Sequence, residues 1–98
     1  GGEEFCIILP ETAPQGAVAL AESLRNVIET LTVVYENQTI PLTISCGVSS
    51  YLQQSGILPE HLFAAADKAL YLAKQQGRNQ TQEIALQNES QDKQLDEQ

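Results

Sequence analysis

The apolar residues of this chain change their spacing repeatedly, and that alternation limits its possible folds more than any other feature. Residues 5–9, FCIIL, form a short β-branched and aromatic run closed by Pro10, which predicts a buried strand. A helix start follows: Thr12 is placed to cap it, Pro14 suits the first turn, and Glu11 lies near the positive end. Ala17, Leu20, Ala21, Leu24, Val27, Ile28 and Leu31 then recur at helical spacing, with Glu22, Arg25, Asn26 and Glu29 on the other side. After Leu31 the spacing changes again. TVVYENQTIPLTISCGVSSYL carries β-formers on both sides of ENQ, which predicts a turn at 36–38. Its second arm, 42–51, alternates Leu42, Ile44, Cys46 and Val48 with small or polar residues, so one face is expected to be buried. Pro41, lacking an N–H, predicts an edge or bulge at that end. A second helix is expected from about 59 to 76, with Leu62, Ala66, Ala69, Leu70 and Ala73 as its apolar stripe and Gly77 as a left-handed cap. RNQTQEI supplies one more strand. The sum is β-α-β-β-α-(β), an α/β (α+β) sandwich with helices flanking a mixed or antiparallel sheet.

Composition divides the chain. From Glu83 on it reads EIALQNESQDKQLDEQ, with five acids against one lysine and no aromatic residue. Such a stretch buries too little apolar surface to offset its ordering entropy. We expect a domain body at 1–83 and an acidic disordered tail at 84–98. The body holds roughly 80 residues, a size that folds with little to spare. The chain carries a net charge of −8, and no basic stripe exists to neutralise the phosphates of a nucleic-acid polymer. Three of the body's four cations, Lys68, Lys74 and Arg78, nevertheless fall within eleven residues. Cations gathered in this way, with a carboxylate pair elsewhere, suit a small anionic ligand handled through a metal. Cys6 and Cys46 lie in separate apolar runs without metal-binding spacing, which predicts buried free thiols in a reducing compartment. With no apolar run of bilayer length and no signal peptide, a cytoplasmic segment without direct membrane contact is expected.

Two constellations can carry chemistry. GGEEF places adjacent carboxylates, Glu3 and Glu4, at the mouth of a strand. Mg²⁺ takes oxygen ligands and only one or two from protein, so such a pair can hold it, while Gly1 and Gly2 allow close approach of a nucleotide. On these five residues alone, solvated glutamates behind a cloning remnant are the favoured explanation. In ADKALYLAKQQGRN, residues 66–79, Lys74 and Arg78 are four apart and emerge together at a helix C-terminus. Cations are favourable there in any helix, but a lysine point charge beside a planar guanidinium fork is also a phosphate clamp. Asp67 reads as an exposed or capping acid.

GGEEF, TISCGVS and ALYLAKQQGRN, in this order and at these separations, closely resemble the second half of the GGDEF family, the bacterial diguanylate cyclases. The resemblance covers residues 1 to about 83 and assigns the two glycines to the signature itself. It implies a partial nucleotidyl-cyclase-like palm fold, with the signature at a hairpin tip. It also implies condensation of two GTP molecules into cyclic di-GMP with release of two pyrophosphates, Mg²⁺ or Mn²⁺ as cofactor, and a homodimer in which each subunit presents one GTP. By the same resemblance Glu3 ligates metal and helps deprotonate the attacking 3′-hydroxyl, and Glu4 has a metal or supporting role. Gly1 and Gly2 line the nucleotide, and Lys74 and Arg78 hold its phosphates.

The family's domain begins upstream of the signature, with a strand bearing another metal-binding Asp, two guanine-recognising helices and an Arg-x-x-Asp product-inhibition motif. None of these lies within 1–98, so the isolated chain is expected to cyclise GTP weakly or not at all. Sensor domains, with a membrane anchor as one option, are expected upstream in the parent. The alternative function is a non-catalytic GGDEF-like regulatory module that binds GTP or a protein partner. A third reading is a fragment whose open sheet edge pairs with a second copy.

Overall fold

The computed structural model describes residues 4–51 and 56–86. Along the chain lie α1 (Pro14–Thr30), β1 (Val33–Tyr35), β2 (Gln38–Ile40), β3 (Cys46–Tyr51), α2 (Pro59–Gln75) and β4 (Thr81–Leu86). This is the expected mixed α/β architecture, with its strands divided between two two-stranded sheets. β1 and β2 make an antiparallel hairpin, and β3 and β4 pair in parallel. No described helix is long and apolar enough to cross a membrane. Of the tail expected to be disordered at 84–98, residues 84–86 belong to strand β4, and the remainder lies outside the described residues.

The hairpin closes at Glu36 and Asn37, whose φ angles are 51° and 65°. Two successive positive φ values give the turn whose twist matches that of the flanking strands. The hairpin stops at Ile40 because Pro41 has no N–H to continue the ladder. The second arm, 42–51, therefore does not pair back across the turn. It resumes as β3 in another sheet, matched from Cys46↔Thr81 to Tyr51↔Leu86. A parallel pair needs a crossover, and α2 supplies it.

Side chains alternate along β3 between two helices. Cys46 Sγ donates a weak hydrogen bond to Ala21 O of α1 at 3.8 Å, and Ser49 Oγ donates to Leu62 O of α2 at 2.6 Å. The small face of β3, expected to be merely polar, is thus the one that seats α2. At Gly47 an added Cβ would stand 2.3 Å from both Ala66 O and Leu70 N. The helix backbone rests on the strand, and Ala65, Ala69 and Ala73 fill the remaining space, the last two with no exposure at all. At the start of α2, the lone histidine acts locally: His61 Nδ1 accepts from Leu58 N–H at 3.4 Å, above Pro59 in the first helical position.

Three expectations need correction. Residues 5–9 form no strand, because no described segment offers them hydrogen bonds, and Phe5 (91% exposed) and Ile8 (82%) face solvent. For the same reason Cys6 is exposed, while Cys46 is half-buried; both are free thiols. Thr12 does not cap α1: its hydroxyl donates to Pro10 O at 3.0 Å, and Ala13 takes the cap position without a side-chain bond.

Candidate functional site

The last turn of α2 runs into the segment 77–79, and here the backbone conformation is unusual. Gly77, Arg78 and Asn79 have φ angles of 117°, 64° and 48°. Glycine follows from the helix ending: Gln76 is the cap, and Arg78 N donates to Ala73 O at 2.9 Å, closing the six-to-one bond of a Schellman motif. Asparagine tolerates the left-handed region through its short polar side chain. Arg78 has no such allowance, and holding it there costs about 1 kcal/mol or more. Its side chain is exposed and makes no hydrogen bond or ion pair among the described residues.

Lys74, one turn earlier, donates to Glu4 Oε2 at 2.7 Å. This contact joins the signature to the end of α2 across 70 residues of sequence. Lys74, by donating a hydrogen bond and through its charge, holds the Glu4 carboxyl below its ordinary range, so Glu4 is ionised at neutral pH. Of the expected site residues, Glu4 and Lys74 are therefore brought into contact, and Arg78 stands on the turn that follows. Gly1, Gly2 and Glu3 lie outside the described residues. Asp67 is exposed, as the sequence suggested.

The donor chemistry fits a hard cation. Glu4 offers an ionised carboxylate, and such ions bind through one or two protein carboxylates, filling their other positions with water or substrate phosphate. Among the described residues no group of three His, Cys, Asp or Glu side chains gathers to hold a metal. A carboxylate placed beside a candidate phosphate-binding cation is compatible with an ion shared with a phosphate ligand.

A second polar cluster escaped the sequence reading. Glu22 and Arg25, placed on the outer side of α1 by their spacing, point inward. Arg25 donates to Glu22 through Nε (2.9 Å) and NH2 (3.1 Å), and its NH1 reaches Asn79 Oδ1 at 2.9 Å. Glu22 also accepts from Thr81 Oγ1 at 2.6 Å, on the first residue of β4. Asn79 Nδ2 donates to Glu29, and Asn79 N donates to Ser45 Oγ at 3.2 Å. With Arg25 and then Thr81 donating to it, the Glu22 carboxyl is lowered to about 2. The available signal was the i, i+3 acid–base pair on α1 together with an Asn directly after Gly-Arg, but neither alone says that the two meet. Among the described residues, shallow depressions lie over Pro14, Val18 and Glu83 and over the Arg25–Asn79 contact. Neither is lined by Glu4, Lys74 or Arg78.

Comparison with known proteins gives a consistent answer. The family model "Diguanylate cyclase, GGDEF domain" matches residues 1–80. The chain is 44% identical over 82 residues to diguanylate cyclase A of Treponema denticola, covering 81% of this chain and 21% of that protein. It is 41% identical over 81 residues to the response regulator PleD of Caulobacter vibrioides, covering 81% and 18%. It is 38% identical over 80 residues to the probable diguanylate cyclase DgcT of Escherichia coli, again covering 81% and 18%. The chain spans about a fifth of the length of the curated relatives it matches.

Proposed function

This chain belongs to the GGDEF domain family, and from that premise we propose that it forms one wall of a diguanylate cyclase active site. The complete protein would join two GTP molecules into cyclic di-GMP and release two pyrophosphates. The observation that carries this reading is the 2.7 Å contact between Glu4 and Lys74, which sets a signature carboxylate beside a candidate phosphate cation.

The roles follow from residue chemistry. In each half-reaction the 3′-hydroxyl of one GTP attacks the α-phosphorus of the other, so the hydroxyl loses a proton and pyrophosphate leaves. Lys74 and Arg78 bind phosphate oxygens and orient the triphosphate for in-line attack, Lys74 as a point charge and Arg78 as a fork. An incoming phosphate competes with Glu4 for the Lys74 ammonium, so substrate loading would release the Glu4 carboxylate from lysine. Glu3 and Glu4 would hold Mg²⁺ or Mn²⁺, with Glu3 also receiving the hydroxyl proton. The bound ion would lower the hydroxyl pKa and neutralise charge on the phosphate. Gly1 and Gly2, without side chains, leave room for the nucleotide. Two GTP molecules facing each other require two such walls, hence a homodimer.

The test is cyclic di-GMP formation from GTP and Mg²⁺ by the full-length protein, with Glu3→Ala alongside. Product from the wild type, lost in the variant, is the expected result. Bound GTP with no product from either would replace the cyclase by a GTP-binding regulatory module.

A further inference from the structure

The Arg25 cluster has no part in the chemistry just described, yet it ends on the turn that carries Arg78. Arg78 sits between a glycine that the helix ending requires and Asn79, and all three backbones are left-handed. A strained run of this kind persists only where neighbours over-determine it. The neighbours here act on Asn79. Its N–H is held by Ser45 Oγ, its side-chain oxygen by Arg25 NH1, and its side-chain nitrogen by Glu29. Arg25 is itself fixed, because Glu22 takes two of its donors in a fork-to-fork pair, which leaves NH1 directed at Asn79. Glu22 is anchored in turn by Thr81 at the start of β4. The chain of contacts runs from β4 through α1 to the residue beside Arg78 and spans 54 positions between Arg25 and Asn79.

We propose that Arg25, clamped by Glu22, is a positioning residue for phosphate binding: by holding Asn79 it fixes the left-handed 77–79 turn and so presents Arg78 in its binding orientation. The inference rests on the phosphate role given to Arg78 above. Arg25 touches no phosphate itself. Its contribution is preorganisation, since a turn already ordered spares the ligand the entropy of ordering it.

A double-mutant cycle on the full-length protein tests this. The ligand is a GTP analogue with a methylene bridge between the α and β phosphorus atoms, which cannot release pyrophosphate, and affinity is read by calorimetry. Arg25→Ala is expected to weaken binding about tenfold, the scale of one hydrogen bond involving a charged group. In an Arg78→Ala background the same change is expected to weaken it less than about twofold. If Arg25→Ala does not fold, Asn79→Gly carries the test, because glycine keeps the left-handed backbone and removes the side-chain contacts to Arg25 and Glu29. It is expected to show the same coupling to Arg78. A purely structural role would lower the unfolding temperature equally in both backgrounds and leave the affinity losses additive, which would overturn the proposal. Failure of the wild type to bind the analogue would overturn the phosphate reading of Arg78, and the positioning role with it.

Discussion

α1 and α2 are each 17 residues long, each begins with proline, and both lie on β3 and β4. They are held there by opposite means. α2 turns alanines onto a strand glycine until backbone meets backbone, and its charged residues stay near the surface. α1 buries only Ala21 and keeps Leu20, Leu24, Val27 and Leu31 between 39% and 57% exposed. Its inward contacts include an acid–base pair bonded to β4 and to the 77–79 turn. Steric fit needs one geometry and tolerates almost nothing added, whereas a polar network needs particular partners and responds to pH and salt.

The sharpest way to break this contrast is Gly47→Ala. One methyl group would meet two backbone atoms at 2.3 Å, so α2 must lift off the strand. Destabilisation of about 3 kcal/mol or more is expected in chemical denaturation, at the upper end for overpacking. A loss below about 1 kcal/mol would show that the seat of α2 is loose. At the other end of the same helix, Lys74→Ala and Arg78→Ala should leave stability near wild type. Each is expected to weaken GTP binding by about tenfold to a hundredfold, the range of a lost charge-assisted contact. Unchanged affinity in both would remove the clamp.

The α1 network can be probed by acid. Glu22 has a folded pKa of about 2 against an ordinary 4.5. Its folded value is the lower one, so folding favours the ionised form. That contribution is fully present above about pH 4.5 and is lost as pH falls towards 2. Partial exposure of Glu22 reduces its size. The unfolding temperature of the wild type should therefore drop more steeply across this window than that of Glu22→Gln. Parallel curves would mean that the pair contributes nothing. The smallest effect is expected on the outer face of α1, where Val27→Lys should change stability by no more than about 0.5 kcal/mol. A larger loss would mean that something covers this face.

Much of the secondary structure was legible in local spacing. Both helices were readable from apolar recurrence and their N-terminal prolines, the hairpin turn from ENQ, and Gly77 from its place after a helical stripe. The signature and the GRN segment were recognisable as a candidate site because both are contiguous. Residues 5–9 misled because a strand is defined by its hydrogen-bonded neighbour, and a favourable composition cannot supply one. α1 misled for a related reason: an amphipathic stripe shows which face is apolar but not which face meets the sheet.

The sequence by itself determined the two helices and the hairpin turn, the helix ends marked by Pro and Gly, the family, and which residues carry charge in the candidate site. These depend on interactions within a few positions, or on motifs read whole. Only the tertiary structure decided that β3 pairs in parallel with β4 and that the small face of β3 seats α2. It also decided that Lys74 meets Glu4 and that Arg25 reaches Asn79 from another helix. Those contacts join residues tens of positions apart, and their geometry exists only once both helices have packed on the same two strands.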